Sequence, residues 1–215
     1  MSMDIAYNYD EQWLLHLVME RGLGKAHWIR NARELGAWFA QRDAWLPMGS
    51  LTAHHLDSHD SFRWPEPGQK WRRKQYGVPA TAALMAVFAL SGGPYMTYVG
   101  GEEGIQDEVR AVSSLRAAHF VIARGWSDYA GVRAGDDDIC AVLREDDQAQ
   151  VLVLVNLRDR TVVTDVALES SPPASATEDL LGGETLVWSY SMTGSAVQVT
   201  MVSFALAAYD VGAPR

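Results

Sequence analysis

The first half of the chain alternates two hydrophobic patterns. Apolar residues at helical spacing predict helices over 11–20, 26–41, 79–90 and 112–124. A short, partly apolar run over 48–56 and an aromatic and β-branched run over 95–99 predict strands, the first followed by a polar cluster and the second by a glycine pair. The order helix, strand, helix, strand, helix predicts parallel strands joined by helical crossovers.

The second half shows strand-like patterns only. The segments 139–143 and 151–157, separated by a polar turn over 145–148, predict a hairpin. Further strands are expected over 161–168, 185–188, 196–201 and 204–211. Their spacing is typical of an antiparallel β-sandwich. Seven of the eight tryptophans lie before this part of the chain. We therefore expect two units, residues 1–129 and residues 130–215.

Composition narrows the class of protein. The 215 residues carry a net charge of −9, the wrong sign for holding phosphate backbones, so nucleic acid is not an expected partner. The longest apolar run, 80–90, is too short to cross a membrane. The start of the chain lacks a basic segment followed by an apolar one, so we expect no secretory signal and a cytoplasmic location. Cys140 is the only cysteine, which excludes an intrachain disulfide.

The densest polar cluster follows the predicted strand 48–56. It comprises His54, His55, Asp57, His59 and Asp60. The next predicted strand ends in Glu102 and Glu103, and the carboxyl ends of adjacent parallel strands meet at one edge, where functional groups collect. The two histidines at 54 and 55 are interpreted as core or loop residues, with zinc ligation as the alternative; the chain contains no identifiable third ligand, and we expect neither a metal nor a cofactor.

Three consecutive runs resemble parts of the alpha-amylase family of glycoside hydrolases. They are HLDSHDSFRW, VPATAALMAVFALSGGPYMTYVGGEEG and DICAVLREDDQAQVLVLVNLRD. The sequence DLLGG at 179–183 also looks like a turn common in the C-terminal domain of that family. The resemblance implies an α/β unit followed by an all-β unit: the last three strands and helices of a (β/α)8 TIM barrel, then an antiparallel β-sandwich.

The resemblance also implies roles for particular residues. Asp60 matches the family's transition-state-stabilising carboxylate, and His59 matches a histidine that donates a hydrogen bond to a sugar hydroxyl. A fixed negative charge stabilises an oxocarbenium-like centre, so both roles are chemically reasonable. Ser58 stands where the family usually has asparagine. Further substrate-binding positions are expected at Arg63, Trp64, Tyr98 and Glu102, although for Trp64 packing is the favoured interpretation over contact with a ligand.

The family's other two catalytic carboxylates have no match. Retaining hydrolysis needs a nucleophile and a general acid about 5 Å apart. The nucleophile motif, Gly-x-Arg-x-Asp, does not occur in residues 1–47, and the acid motif is absent too. Glu11, Glu20 and Glu34 fall in predicted helices, where we expect solvated or capping roles.

The length of the chain is consistent with the absence of the nucleophile and acid motifs. A whole barrel needs about 250 residues and a sandwich about 100 more, so we expect the C-terminal portion of a longer or split protein, inactive alone. Its expected partners are an α-linked glucan or oligosaccharide, and either the missing half of the barrel or a second copy. Two functions follow: part of a hydrolase or glucosyltransferase acting on α-glucosidic bonds, or an inactive amylase-like module that binds carbohydrate or protein.

Overall fold

The structure is a computed structural model that describes residues 5–7, 11–25, 30–47, 49–60, 71–169, 176–191 and 194–213. In its first part, three strands alternate with helices. The strands are β1 (Ile5–Tyr7), β2 (Leu51–His55) and β3 (Tyr95–Met96). The helices are α1 (Glu11–Gly22), α2 (Ala32–Trp45), α3 (Arg72–Tyr76), α4 (Val78–Leu90), α5 (Gln106–Ala118) and α6 (Phe120–Arg124).

The three strands form one parallel sheet in the order β1–β2–β3. Ile5 pairs with Leu51, and His54 pairs with Tyr95. The predicted parallel strands with helical crossovers are thereby confirmed. The carboxyl ends of β2 and β3 lie side by side, and this places the loops that follow them on the same edge.

The second part consists of two four-stranded antiparallel sheets and a short two-stranded one. The strands are β4 (Trp126–Asp128), β5 (Val132–Ala134), β6 (Ile139–Glu145), β7 (Gln150–Asn156), β8 (Val162–Leu168), β9 (Ala176–Thr177), β10 (Leu186–Val187), β11 (Ser189–Ser191), β12 (Gly194–Met201) and β13 (Leu206–Gly212). Their orders are β13–β7–β6–β4, β11–β12–β8–β5 and β10–β9. The predicted hairpin is the pair β6–β7.

Two of the predicted helices begin elsewhere. The helix expected from residue 26 begins at Ala32 in the described part of the chain, because the Asn31 side chain caps it by accepting the backbone N–H of Glu34 at 2.9 Å. The helix expected over 112–124 is two helices. The first begins at Gln106, since its first turn is polar and leaves no hydrophobic pattern to detect.

Some elements were not predicted at all. Helix α3 has only five residues, and the short strands β4, β5, β9 and β11 have two or three residues each. Elements of this length contain less than two periods of any hydrophobic pattern, so tertiary contacts define them.

The buried apolar side chains form two clusters. One fills the space between the two four-stranded antiparallel sheets, with Val166, Leu152 and Trp188 among its members. The other is shared by helices α1, α2 and α4 and by the opposite face of β6 and β7, including Phe88 and Val153. The sheet β13–β7–β6–β4 is therefore covered on both faces, and the helical part of the chain packs directly against it.

The fold is a mixed α/β structure with antiparallel sheets. The division into residues 1–129 and 130–215 stays a prediction; β4, which precedes that boundary, pairs with β6. None of the helices in the described ranges is long and apolar enough to cross a membrane.

Candidate functional site

A cavity of about 440 Å³ lies where the carboxyl ends of β2 and β3 meet. Its lining comes from the last residue of β2, the loop after it, the end of β3 and the loop after that. The lining residues are His55, Asp57, Ser58, His59, Asp60, Met96, Thr97 and Tyr98. The ends of β2 and β3 thus share one concave surface, but the carboxylates expected from the second loop, Glu102 and Glu103, are not part of its lining.

His59 and Asp60 are the exposed part of this lining. Their side chains are 79% and 59% exposed, and His59 Nε2 lies 3.4 Å from Asp60 Oδ2. Both are in a turn, four and five residues beyond His55, the buried last residue of β2. An imidazole and a carboxylate at the mouth of a cavity can donate and accept hydrogen bonds with a bound polar molecule.

The other predicted site residues have different positions. Tyr98 lines the cavity, and its ring centroid is 6.2 Å from that of Trp71. Glu102 lies in the following turn, outside the cavity lining, and its buried Oε2 makes no hydrogen bond within the described part of the chain. Arg63 and Trp64 lie outside the described residues. The structure therefore brings His59, Asp60 and Tyr98 together.

Two buried side chains, Arg72 and Gln12, form hydrogen bonds to the end of β2 and are called the polar clamp here. Arg72, 2% exposed, donates from Nε to the carbonyl of Leu56 at 3.2 Å and from Nη2 to Oε1 of Gln12 at 2.8 Å. Gln12 in turn donates from Nε2 to the carbonyl of His55 at 2.9 Å. The last two carbonyls before the cavity loop are thus both hydrogen-bonded to side chains from other elements. Such contacts restrict the backbone from which His59 and Asp60 project.

Asp57 is the buried carboxylate of the cavity. It is 5% exposed, and its Oδ1 accepts the backbone N–H of Arg72 at 2.9 Å. Burial raises the pKa of the Asp57 carboxyl, and the hydrogen bond from Arg72 and the charges of Arg72 and Arg73 oppose that shift. Cavity-lining carboxylates with raised pKa values are common at functional sites.

Arg73 of α3 forms hydrogen bonds to the loop that follows β3 on the other side of the cavity. It donates to the carbonyl of Gly100 at 2.7 Å and to Oε2 of Glu103 at 2.6 Å, and its guanidinium lies 4.4 Å from the ring centroid of Trp71. Gly100 has a φ of +87°, and a Cβ at that position would lie 3.3 Å from the Trp71 ring. The loop after β3 is therefore positioned by α3 as well.

His54 is a core residue, which confirms its structural interpretation. It is 5% exposed, its ring stacks on Phe88 at 5.4 Å and 12°, and its Nδ1 lies 3.0 Å from Oε2 of Glu11. Of the two roles expected for Glu11, solvated or capping, the solvated one is wrong, because Glu11 is 0% exposed and forms this pair. A carboxylate at the start of a helix can be drawn into the core when a buried histidine supplies a hydrogen bond.

His55 is buried at the end of β2, and burial lowers the pKa of its imidazole, with the charge of Arg72 acting in the same direction. No group of three or more histidine, cysteine, aspartate or glutamate side chains able to hold a metal ion occurs in the ranges that the structure describes.

Sequence reasoning missed Trp71 and the first two residues of α3. Trp71, Arg72 and Arg73 adjoin one another in the chain and contact both loops of the cavity. An arginine-rich segment usually indicates a solvated face, so the burial of Arg72 had no signal in the hydrophobic pattern.

Comparisons with known proteins identify the fold. No protein-family model matches the chain, and no curated protein matches it. Solved structures do. An alpha-amylase from Anoxybacillus has a TM-score of 0.73 at 14% identity, with 99% of this chain and 48% of that one covered. A maltogenic alpha-amylase from Thermotoga neapolitana has a TM-score of 0.69 at 14% identity, over 97% of this chain and 51% of that one.

A debranching enzyme from Nostoc punctiforme has a TM-score of 0.68 at 13% identity, over 97% of this chain and 48% of that one. The chain spans about half the length of the enzymes it matches. The resemblance to the alpha-amylase family that the sequence runs indicated is thus confirmed at the level of the fold: this chain folds like about half of an alpha-amylase-type enzyme.

Proposed function

We propose that the chain is the C-terminal portion of an alpha-amylase-type glycoside hydrolase or glucosyltransferase that acts on α-glucosidic bonds of glucans or oligosaccharides. In this proposal β1, β2 and β3 are the last three strands of a (β/α)8 barrel, and the antiparallel sheets are the C-terminal sandwich. The cavity at the ends of β2 and β3 is then part of the substrate-binding cleft.

One observation carries the proposal: His59, Asp60 and Tyr98 line a single cavity at the carboxyl ends of two parallel strands, in a chain whose fold is similar to about half of an alpha-amylase. The volume, about 440 Å³, is in the range of cavities that take small molecules. Carboxylate, imidazole and phenol groups supply the hydrogen-bond partners and the aromatic surface that a sugar needs.

Each residue has a role in this proposal. Asp60 stabilises the positive charge that develops on the sugar ring, and His59 donates a hydrogen bond to a sugar hydroxyl. Tyr98 contributes an aromatic face beside Trp71. Arg63, Trp64 and Glu102 remain proposed positions of further subsites. The nucleophile and general acid come from a part of the barrel that precedes this sequence, so the chain by itself is proposed to bind sugar without cleaving it.

The alternative is an inactive amylase-like module that binds carbohydrate or protein. It is favoured by one observation, the lack of a Gly-x-Arg-x-Asp motif or an acid motif in these residues. Reducing-sugar release from maltodextrin by the chain mixed with the polypeptide encoded upstream separates the two: turnover supports the enzyme, and none from a folded mixture supports the module.

Calorimetric titration with maltotriose tests the binding site directly. We expect wild-type binding that weakens about tenfold or more in Asp60→Asn and in His59→Ala, because each loses a hydrogen bond that involves a charged or polar partner. Asp107→Asn is the matched control, since Asp107 is 90% exposed on α5 and pairs only with Arg110 among the contacts of the described chain. Absence of wild-type binding, or equal affinities in all variants, would contradict the proposal.

A further inference from the structure

We propose that Asp57 is a second substrate-binding carboxylate of the cavity, whose oxygen Oδ2 accepts a hydrogen bond from a hydroxyl group of the bound α-glucoside. This inference rests on the proposed function, since it names a further residue that selects and positions the same class of substrate. It assigns to Asp57 a role that the resemblance gives only to the neighbouring Asp60 and His59.

Burial distinguishes the two aspartates. Asp57 is 5% exposed, whereas the Asp60 side chain is 59% exposed and lies beside the exposed ring of His59. Water screens the Asp60 carboxylate, whereas the buried Asp57 carboxylate is largely shielded from water. A hydrogen bond to a carboxylate is stronger in such low-dielectric surroundings. A sugar hydroxyl that displaces water at Asp57 therefore forms the less screened contact.

The two oxygens of Asp57 have different surroundings. Oδ1 accepts the backbone N–H of Arg72 at 2.9 Å, whereas Oδ2 accepts no hydrogen bond from the residues that the structure describes. Oδ2 is also the oxygen nearest Gly101: a Cβ built on that glycine would lie 3.5 Å from it. One oxygen is thus anchored, and the other is left as an acceptor between the two loops that border the cavity.

The anchoring extends beyond Asp57 itself. Arg72 binds Gln12 and the carbonyl of Leu56, and Gln12 binds the carbonyl of His55, so the two residues before Asp57 are held as well. A carboxylate that is held in place before the ligand arrives loses little conformational freedom on binding. This is the property expected of a group that positions a substrate.

A purely structural role would not require this carboxylate. To hold α3, Asp57 needs only one oxygen for the N–H of Arg72. A neutral asparagine supplies that oxygen without the desolvation that raises the pKa of the Asp57 carboxyl. A charged group kept where its burial is unfavourable is more often explained by binding or catalysis than by folding.

Asp57→Asn tests the inference because it retains the acceptor for Arg72 and replaces the second oxygen by an N–H donor. We expect maltotriose affinity, measured by calorimetry, to fall about ten- to a hundredfold. The melting temperature should stay the same or rise, because the neutral amide removes the desolvation cost. Asp146→Asn is the matched control: Asp146 also accepts backbone N–H groups, from Gln148 and Ala149, but lies in the β6–β7 turn.

A second variant separates binding from folding. Asp57→Ser keeps a short acceptor near the N–H of Arg72 and removes Oδ2, the oxygen that does not accept that N–H. We expect it to lose affinity to the same extent as Asp57→Asn. Wild-type-like affinity in either folded variant, with a loss in Asp60→Asn, would overturn the role of Asp57 and leave the proposed function standing. Absence of maltotriose binding by the wild type would overturn both.

Discussion

The antiparallel sheet β13–β7–β6–β4 and the parallel sheet β1–β2–β3 differ in how completely they are covered. In the antiparallel sheet, all seven residues of β7 are buried. In the parallel sheet, β3 has two residues, both only partly buried, and Ile5 of β1 is 55% exposed. The cavity with its candidate site residues belongs to the less covered sheet. The most completely buried sheet and the proposed binding site are therefore different parts of this molecule.

The reason is the number of layers on each sheet. Helices α2, α4 and α6 pack on one face of β6 and β7, and the sheet β11–β12–β8–β5 packs on the other. A strand covered on both faces has an almost continuous apolar sequence, as Gln150–Asn156 does. By contrast, β8 alternates buried and exposed residues because only one of its faces is covered.

The first prediction concerns a side chain in the apolar cluster that the helices share with the antiparallel sheet. Phe88 of α4 is 0% exposed and contacts both His54 of β2 and Phe39 of α2. Phe88→Ala leaves a cavity in this shared cluster, and we expect it to lower the free energy of unfolding by about 3–5 kcal/mol. Chemical denaturation measures the change. Phe120→Ala, at a residue 66% exposed on α6, should change it by less than about 0.5 kcal/mol.

Equal losses in the two phenylalanine variants would show that the shared cluster does not dominate stability.

The next largest effect is expected at the polar clamp. Arg72→Lys keeps the charge but cannot reach Gln12, Gln75 and the carbonyl of Leu56 together, as the guanidinium does. We expect the free energy of unfolding of Arg72→Lys to fall by about 1–3 kcal/mol, because at least one buried polar group loses its hydrogen-bond partner. Maltotriose affinity should fall with it, because the cavity loop is less well held.

Thermal unfolding of Arg72→Lys measures the change in stability, and calorimetric titration measures its affinity for maltotriose. The control is Arg110→Lys, an exposed arginine of α5 that pairs with Asp107. A destabilised Arg72→Lys protein that bound sugar with unchanged affinity would show that the clamp supports the fold and not the site.

The smallest effect on stability is expected at the outer edge of β1. Within the described residues only β2 pairs with β1, so one edge of this strand is available for another strand. Ile5→Lys should change the melting temperature little, since Ile5 is 55% exposed, but should reduce self-association in sedimentation experiments.

Val163→Lys is the control that shows whether an effect on self-association is specific to the unpaired edge of β1. Val163 is 60% exposed on β8, which has neighbours on both sides. Equal self-association of the wild type and both lysine variants would exclude β1 as an association edge.

The elements with a long hydrophobic pattern could be predicted from the sequence. Helix α4 and the hairpin β6–β7 have the expected positions, because each contains several periods of its pattern. The edge that β2 and β3 share could also be predicted from the sequence, since parallel connectivity places the carboxyl ends of adjacent strands together. The meeting of His59 and Asp60 with Tyr98 follows from that topology.

The clamp, the burial of Glu11 and the two environments of Asp57 could not be predicted in this way. Gln12 and Arg72 are 60 residues apart, and Glu11 and His54 are 43 apart. A buried polar group is stable only if specific partners reach it, and those partners come from elements that are distant in sequence.

For this protein, the local sequence determines the order of helices and strands and the edge at which the polar loops meet, because both depend on patterns within a few residues. Only the tertiary structure decides which of the two loop aspartates is buried and which is exposed. Solvent exposure depends on the whole packing around a side chain, and two aspartates three residues apart carry no difference in their own chemistry that could reveal it.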